Sequence, residues 1–443
     1  MKTKSKIRIA AITALLAVCL SAFFGCAGSG TYALTKAKYP KMSKYPSGLS
    51  LNSESAYDKW NEDRQTQTNQ YEGYNQGLGE YYIKTARQLL GNADKENAIY
   101  SPLNIYVALA MLAETTDGNS RAEILKLLGV DSIETLRKKT DAIWNANYCD
   151  DGTVTSVLAS SLWMDKSIDY NKETLKTLTD FYHASTFAGK MGDSNYSAAL
   201  RSWLNEQTGN MLKDSVDNLN FDPETVMAIA TTVYFKAKWD DEFKETGNTE
   251  AIFHGVSGDK NCTFMNQQSH GMYYYGEKFG AAYRRLENSG KMWFILPDEG
   301  VSLNELLEGE AIEKFFASDK EWASSKYIKI NMSLPKFDIN SDITLDDCLK
   351  NLGLNDIFNP QKSDFSPLVG NSRRLALSSA KHAARIIVDE VGVTGTSYTL
   401  LPMAGAAEPP KDEVDFVLDR PFIFVITGQT DMPLFIGVVN NVG

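Results

Sequence analysis

The 443-residue sequence predicts one large α+β domain built on one or more large sheets. Three observations predict it. Apolar residues at helical spacing come mostly first, apolar runs of strand length come mostly later, and no Gly/Ser-rich or Pro-rich linker or internal repeat divides them. A hydrophobic content of 43% and a charged content of 23% are those of a globular chain, long enough to bury a sizeable core.

The chain opens unlike the rest. Lys2, Lys4, Lys6 and Arg8 precede the apolar run Ile9 to Phe24, too short for a comfortable membrane span and built like an export signal over residues 1–25. Its end, Phe23-Phe24-Gly25-Cys26, resembles the bacterial lipobox, which implies lipidation at Cys26; the plainer reading is an ordinary signal peptide with Cys26 incidental. Removing residues 1–25 takes away four basic side chains and no acid, moving the formal charge from −11 to −15. Such a chain repels nucleic acid and anionic lipid, so acyl chains would have to hold it to a membrane. Residues 26–76 are polar and suit a tether, although their tyrosines could equally pack on the domain that follows, residues 77–443.

Within that domain, Tyr81 to Leu90 places Ile83, Ala86 and Leu89-Leu90 on one helical face, and Ile105 to Leu112 reads as a largely buried helix. Ser120 and Glu123 have capping-box spacing before Ile124, Leu127 and Leu128, with Gly129 as the stop. Leu200, Trp203, Leu204, Met211 and Leu212 suggest another amphipathic helix. Val157 to Met164, Val226 to Trp239 and Met292 to Leu296 read as buried strands, Ile328 to Leu334 alternates, and Phe422 to Thr427 with Leu434 to Val439 forms a closing hairpin.

No constellation argues for catalysis. His183, His254, His270 and His382 are scattered without the paired histidines and Glu of a zinc peptidase, and neither a G-x-S-x-G elbow nor a phosphate loop occurs. His382, on an apolar strand, reads first as a satisfied core residue. Cys149, Cys262 and Cys348, three widely spaced thiols left after the signal and Cys26, make no disulfide framework and no metal spacing. No cofactor or metal is expected.

The informative stretch lies late. Ile386-Ile387-Val388 reads as a buried strand, then gives way to Asp389-Glu390-Val391-Gly392-Val393-Thr394-Gly395-Thr396-Ser397-Tyr398-Thr399 and the Leu400 to Pro410 tract. Taken as a strand, Val393, Gly395, Ser397 and Thr399 share one face, and all are small. The bland reading is a surface loop; the alternative is a segment able to live outside a sheet or slide between two strands.

Ordered motifs favour the second. Asn97 to Ile105 with Ala108 to Leu112, Trp203 with Glu206 and Thr208, and Val233-Tyr234-Phe235-Lys236 with Trp239 and Phe243 begin the set. Leu296-Pro297, Leu334-Pro335-Lys336-Phe337, Leu352-Gly353-Leu354, Phe358 and Asp364-Phe365-Ser366 continue it, and Arg420-Pro421-Phe422-Ile423-Phe424 with Leu434-Phe435-Ile436-Gly437 close it. From about Tyr81 to Val442 the chain resembles the serpins. That resemblance implies helices largely in the N-terminal half, packed on large mainly antiparallel sheets, with an exposed C-terminal reactive loop at about residues 391–410. It also implies a hinge at Glu390, Gly392, Val393, Thr394, Gly395, Thr396, Ser397 and Thr399, and a sheet-opening region at Ser101, Asn104, Trp239 and His382. Three positions depart from the family around that opening, Asn104, Arg201 and Thr231, so its hydrogen bonds must be rewired; Val393 and Thr394 stand where Thr and Glu are usual, and Tyr398 is bulky.

The function so implied is a single-use protease inhibitor. A protease cuts the loop, and the loop then enters the main sheet and drags the acyl-enzyme on the order of 45 Å at about 3.3 Å per residue. Family spacing puts the attacked bond at Ala406–Ala407, with Met403 and Ala404 as neighbouring candidates; no Arg or Lys lies between Gly392 and Pro410. An extracellular elastase-like or subtilisin-like serine protease is therefore the expected partner, met by a monomer lipid-anchored at a bacterial surface. The alternatives are a non-inhibitory serpin acting as a binding module and, more remotely, a two-lobed solute-binding lipoprotein.

Overall fold

The computed structural model describes residues 31–46, 53–91, 95–309, 313, 315–316, 324–370, 374–393 and 412–442. Its helices come mostly first: α1 (Ser53–Thr68), α2 (Gly79–Leu90), α3 (Pro102–Thr115), α4 (Gly118–Leu128), α5 (Ile133–Asn147), α6 (Lys172–Tyr182) and α7 (Ser194–Gln207). Pro102 presets the first turn of α3, and the Ser101 hydroxyl accepts from the Asn104 amide, so the helix starts capped. Every residue from Pro102 to Ala113 is buried, which makes α3 the central helix.

The expected Ser120–Glu123 capping box is not formed. α4 starts after Asp117, so Ser120 lies inside the helix, where its hydroxyl accepts from the Asp364 amide at 3.1 Å. The Glu123 carboxylate accepts from the amides of Asn355 and Asp356 at 2.9 and 3.0 Å. Both side chains serve a distant segment. Gly129 does end the helix, at a left-handed φ of 66°.

The strands are, in order, β1 (Ala33–Thr35), β2 (Ala98–Tyr100), β3 (Cys149–Asp150), β4 (Thr155–Asp165), β5 (Ala184–Gly189) and β6 (Met227–Lys238). Then come β7 (Thr249–Gly255), β8 (Gly258–Tyr275), β9 (Phe279–Arg285), β10 (Lys291–Pro297), β11 (Ser324–Pro335) and β12 (Phe337–Thr344). β13 (Ser379–Val388), β14 (Gly392–Val393), β15 (Glu413–Val417), β16 (Phe422–Thr427) and β17 (Pro433–Val439) complete the set. One sheet runs β1-β5-β4-β6-β14-β13-β12, with β3 beside β4; the other runs β15-β11-β8-β9-β10-β16-β17-β2, with β7 beside β8. Among the described pairings three are parallel, β4 with β5, β6 with β13 and β11 with β15, and the rest are antiparallel. The closing hairpin is fully buried on both strands, as its unbroken apolar run requires.

Within residues 26–76, expected as a tether whose tyrosines could instead pack, the described parts pack. β1 pairs antiparallel with β5 and covers that edge of the first sheet. Tyr39 stacks on Trp144 at 5.6 Å and its hydroxyl donates to Gln207 Oε1 at 2.7 Å. On α1, Trp60 donates to Asp151 Oδ2 at 3.0 Å, and buried Arg64 donates to Asn288 O at 2.7 Å and Gln429 Oε1 at 2.8 Å, with Cys149 Sγ also in contact. A polar helix docks here through its buried Trp60 and Arg64, with Gln67 donating to Asn145 and Asp63 accepting from Ser43 beside them.

Candidate functional site

β13 ends at Val388, and the chain reverses at once. Asp389 Oδ1 accepts from the amides of Val391 and Gly392 at 2.9 and 3.1 Å, while the Asp389 amide donates to Gly392 O at 3.1 Å. This Asp-closed turn sends Gly392 and Val393 back as β14, between β13 and β6. Only glycine fits at the first position, because a Cβ on Gly392 would lie 2.4 Å from Ala237 O and 2.6 Å from Lys238 Cα. Val393 is fully buried opposite Val388 and Ala237.

Three hydrogen bonds hold the turn to the segment that follows β6. Trp239 Nε1 donates to Asp389 O at 2.8 Å, the Trp239 amide to Val391 O at 3.0 Å, and the Phe243 amide to Glu390 O at 3.0 Å. The Glu390 carboxylate lies 2.5 Å from Lys336 Nζ and accepts from Asn248 Nδ2 at 2.5 Å. Burial pushes that carboxyl up, but Lys336 and Asn248 outweigh it and hold it below the usual range. Buried Arg284 stacks over Phe243 at 4.3 Å and Trp239 at 5.7 Å, its pKa lowered by burial to about 10.

Lower on the same seam the two strands meet directly. Among the described residues, β6 and β13 pair only over Ala228–Thr232 with Ser379–Ala383. Beneath that patch four sequence-selected polar residues come together, all buried: Ser101, Asn104, Thr231 and His382. His382 Nε2 accepts from the Ser101 amide at 3.0 Å, which leaves the proton on Nδ1 to donate to Thr231 Oγ1 at 2.9 Å. Burial lowers the His382 pKa to about 3, so the ring is neutral, in keeping with a core residue. Asn104 Nδ2 donates to Thr232 O at 2.9 Å, and Thr232 Oγ1 donates across the seam to Ala383 O at 2.9 Å.

Not every selected residue joins this cluster. Trp239 belongs to the Asp389 turn at the other end of the seam. Arg201 takes no part in the buried network; it donates to Leu219 O at 2.6 Å and Asn220 Oδ1 at 2.9 Å and so braces the connection into β6. Of the residues that hold the turn, the sequence offers Asp389 and Lys336 only as members of motifs, without these roles, and Asn248 and Arg284 not at all. Of these, only Asp389 had a local signal, an Asp two and three residues before the amides it accepts from. Thr394, Gly395, Thr396, Ser397, Tyr398, Thr399, Ala406, Ala407 and Cys26 lie outside the described residues. Among the described residues no group of three or more His, Cys, Asp or Glu could hold a metal ion.

The family model "Serpin (serine protease inhibitor)" matches residues 77–442. Human neuroserpin is 26% identical over 387 residues, 82% of this chain and 90% of its own. Human leukocyte elastase inhibitor is 28% identical over 366 residues, 77% of this chain and 92% of its own. Among solved structures, the thermophilic serpin tengpin in its native state is 28% identical with a TM-score of 0.72, over 83% of this chain and 95% of its own. Arabidopsis AtSerpin1 in its native stressed conformation is 24% identical with a TM-score of 0.74, over 86% and 99%.

Proposed function

The chain belongs to the serpin family, whose members are generally protease inhibitors and not enzymes, and on that premise we propose that it is a single-use inhibitor of an extracellular elastase-like or subtilisin-like serine protease. The carrying observation is that Gly392 and Val393 already lie between β6 and β13, while those strands pair directly only farther down. Continued in the same register, Gly395 would face Phe235, Ser397 would face Val233 and Thr399 would face Thr231. The small face of the hinge would then meet the buried side of the sheet. Insertion would break the Thr232–Ala383 contact and give each strand edge a new partner. A protease acylated at Ala406–Ala407, or at neighbouring Met403 or Ala404, would be carried with the inserting strand and lose the geometry of its catalytic groups. The small apolar tract supports an elastase-like or subtilisin-like pocket, and the similarity to leukocyte elastase inhibitor points the same way. Lipidation at Cys26, following removal of residues 1–25, would place the inhibitor at a bacterial surface.

Incubation with elastase is expected to yield an SDS-resistant complex, and with trypsin none. Val393 is already buried in the intact protein, so the selective test is Ser397→Arg, which would set an unpartnered guanidinium opposite Val233 only once the segment inserts, at a cost on the order of several kcal/mol to insertion. It should turn the inhibitor into a substrate, with cleavage retained and complex lost. Clean cleavage of the unaltered protein, or full inhibition by the variant, would overturn the reading.

A further inference from the structure

Above the patch where β6 and β13 pair, on the side covered by α7, lies a cavity of about 200 Å³. Leu200 and Leu204 of α7, Phe221 and Ile229 form apolar walls, and Trp163 closes the back. An engineered apolar cavity of roughly 150 Å³ accepts benzene, so this volume admits a single ring with a short chain. The rim carries Asp222, Asp342 and Lys381, two acids against one base. Asp222 Oδ1 is engaged by the Glu224 amide at 2.8 Å, and Lys381 Nζ donates to Thr344 Oγ1 at 2.6 Å. Asp342 makes no hydrogen bond to a described residue: burial pushes its carboxyl up and the nearby Lys381 charge opposes that, but the Lys381 ammonium donates to Thr344, which leaves the Asp342 carboxylate as the acceptor on offer.

We propose that this cavity binds a small primary amine carried on an aryl or short alkyl body, with the body between α7 and the sheet and the ammonium on Asp342. Ala228, Ala230, Ser379 and Ala383 line the same cavity from both strands of the seam. An occupant therefore touches β6 and β13 together and binds the closed pairing better than the parted one. It would hold the lower seam shut. That regulatory consequence rests on the insertion reading above; the binding does not.

The probes are 2-phenylethylamine and 3-phenylpropionate, titrated calorimetrically into the intact protein. The amine should bind at least tenfold more tightly than the acid. Asp342→Asn, a rim change that leaves the core untouched, should remove that preference, and Leu204→Trp or Leu200→Phe should abolish binding by filling the walls. Absence of amine binding, equal binding of the two probes, or indifference to both filling variants would overturn the site and leave the inhibitor reading standing. In the second arm, saturating amine should lower the yield of elastase complex several-fold; an unchanged yield would overturn the latch. If elastase forms no complex even without amine, the inhibitor reading fails while the titration still decides the site.

Discussion

The seam between β6 and β13 and the middle of the second sheet are both buried, yet they are built from opposite materials. Along the seam, Ala228, Ile229, Ala230, Thr231 and Thr232 meet Ser379, Ala380, Lys381, His382 and Ala383, so that short side chains predominate and Ile229 and Lys381 each face an alanine. In the second sheet, Trp293, Phe294 and Ile295 of β10 pair with Val425, Phe424 and Ile423 of β16, and Phe435 and Ile436 of β17 follow behind. Large interlocked side chains lose many contacts when parted; short ones lose few. The seam is held instead by a handful of directional bonds, and such bonds can be exchanged for others. One region is a frame. The other is a closure.

The largest expected effect strikes the frame. Phe424→Ala should destabilise the intact protein by about 3–5 kcal/mol, measured by denaturant unfolding, because Phe424 is fully buried and packs against Phe337. It should do so without selective loss of complex formation per folded molecule.

Next is acidity, which acts on the closure. His382 binds its proton with a pKa of about 3 in the fold, against 6.5 for the free side chain, so the unfolded chain holds that proton more readily. Its contribution is complete above pH 6.5 and is lost as pH falls toward 3, with a slope of at most about 1.4 kcal/mol per pH unit. Depressed carboxyls such as Glu390 act in the same direction, from the usual carboxylate range downward. Between pH 6.5 and 5 the raised carboxyls Glu287 and Asp342 act in the opposite direction, so the histidine's share is read by difference, and His382→Gln should flatten the slope there.

The smallest is Thr231→Val. It removes the acceptor facing His382 Nδ1 and leaves a buried N–H unpaired, a loss of about 1–3 kcal/mol in unfolding titrations. If Phe424→Ala and Thr231→Val affected complex yield alike, the contrast between frame and closure would be wrong.

Much of this was legible in the chain. The closing hairpin, β4, β6 and β13 announce themselves by apolar runs. Gly392 is picked out by the family pattern, and the structure supplies the reason: a Cβ there would meet the backbone of Ala237 and Lys238. Other features depend on partners remote in sequence. Glu390 meets Asn248 across 142 positions, and Arg64 meets Gln429 across 365, so no local pattern could reveal either. Helix α1 escaped for a related reason: its sequence is polar and it docks through Trp60 and Arg64 rather than along an apolar stripe. Ser120 misled because its spacing to Glu123 is that of a cap, while the folded chain uses both side chains to bind the segment from Asn355 to Asp364.

The central claim is that cutting the Leu400 to Pro410 tract lets β14 lengthen between β6 and β13 and leaves the protein in a more stable form. Thermal unfolding of the intact chain and of the same chain nicked in that tract by elastase tests it most directly. A gain in Tm of roughly 10 °C or more after nicking is the expected result. Equal melting temperatures, or a lower one for the nicked chain, would contradict it.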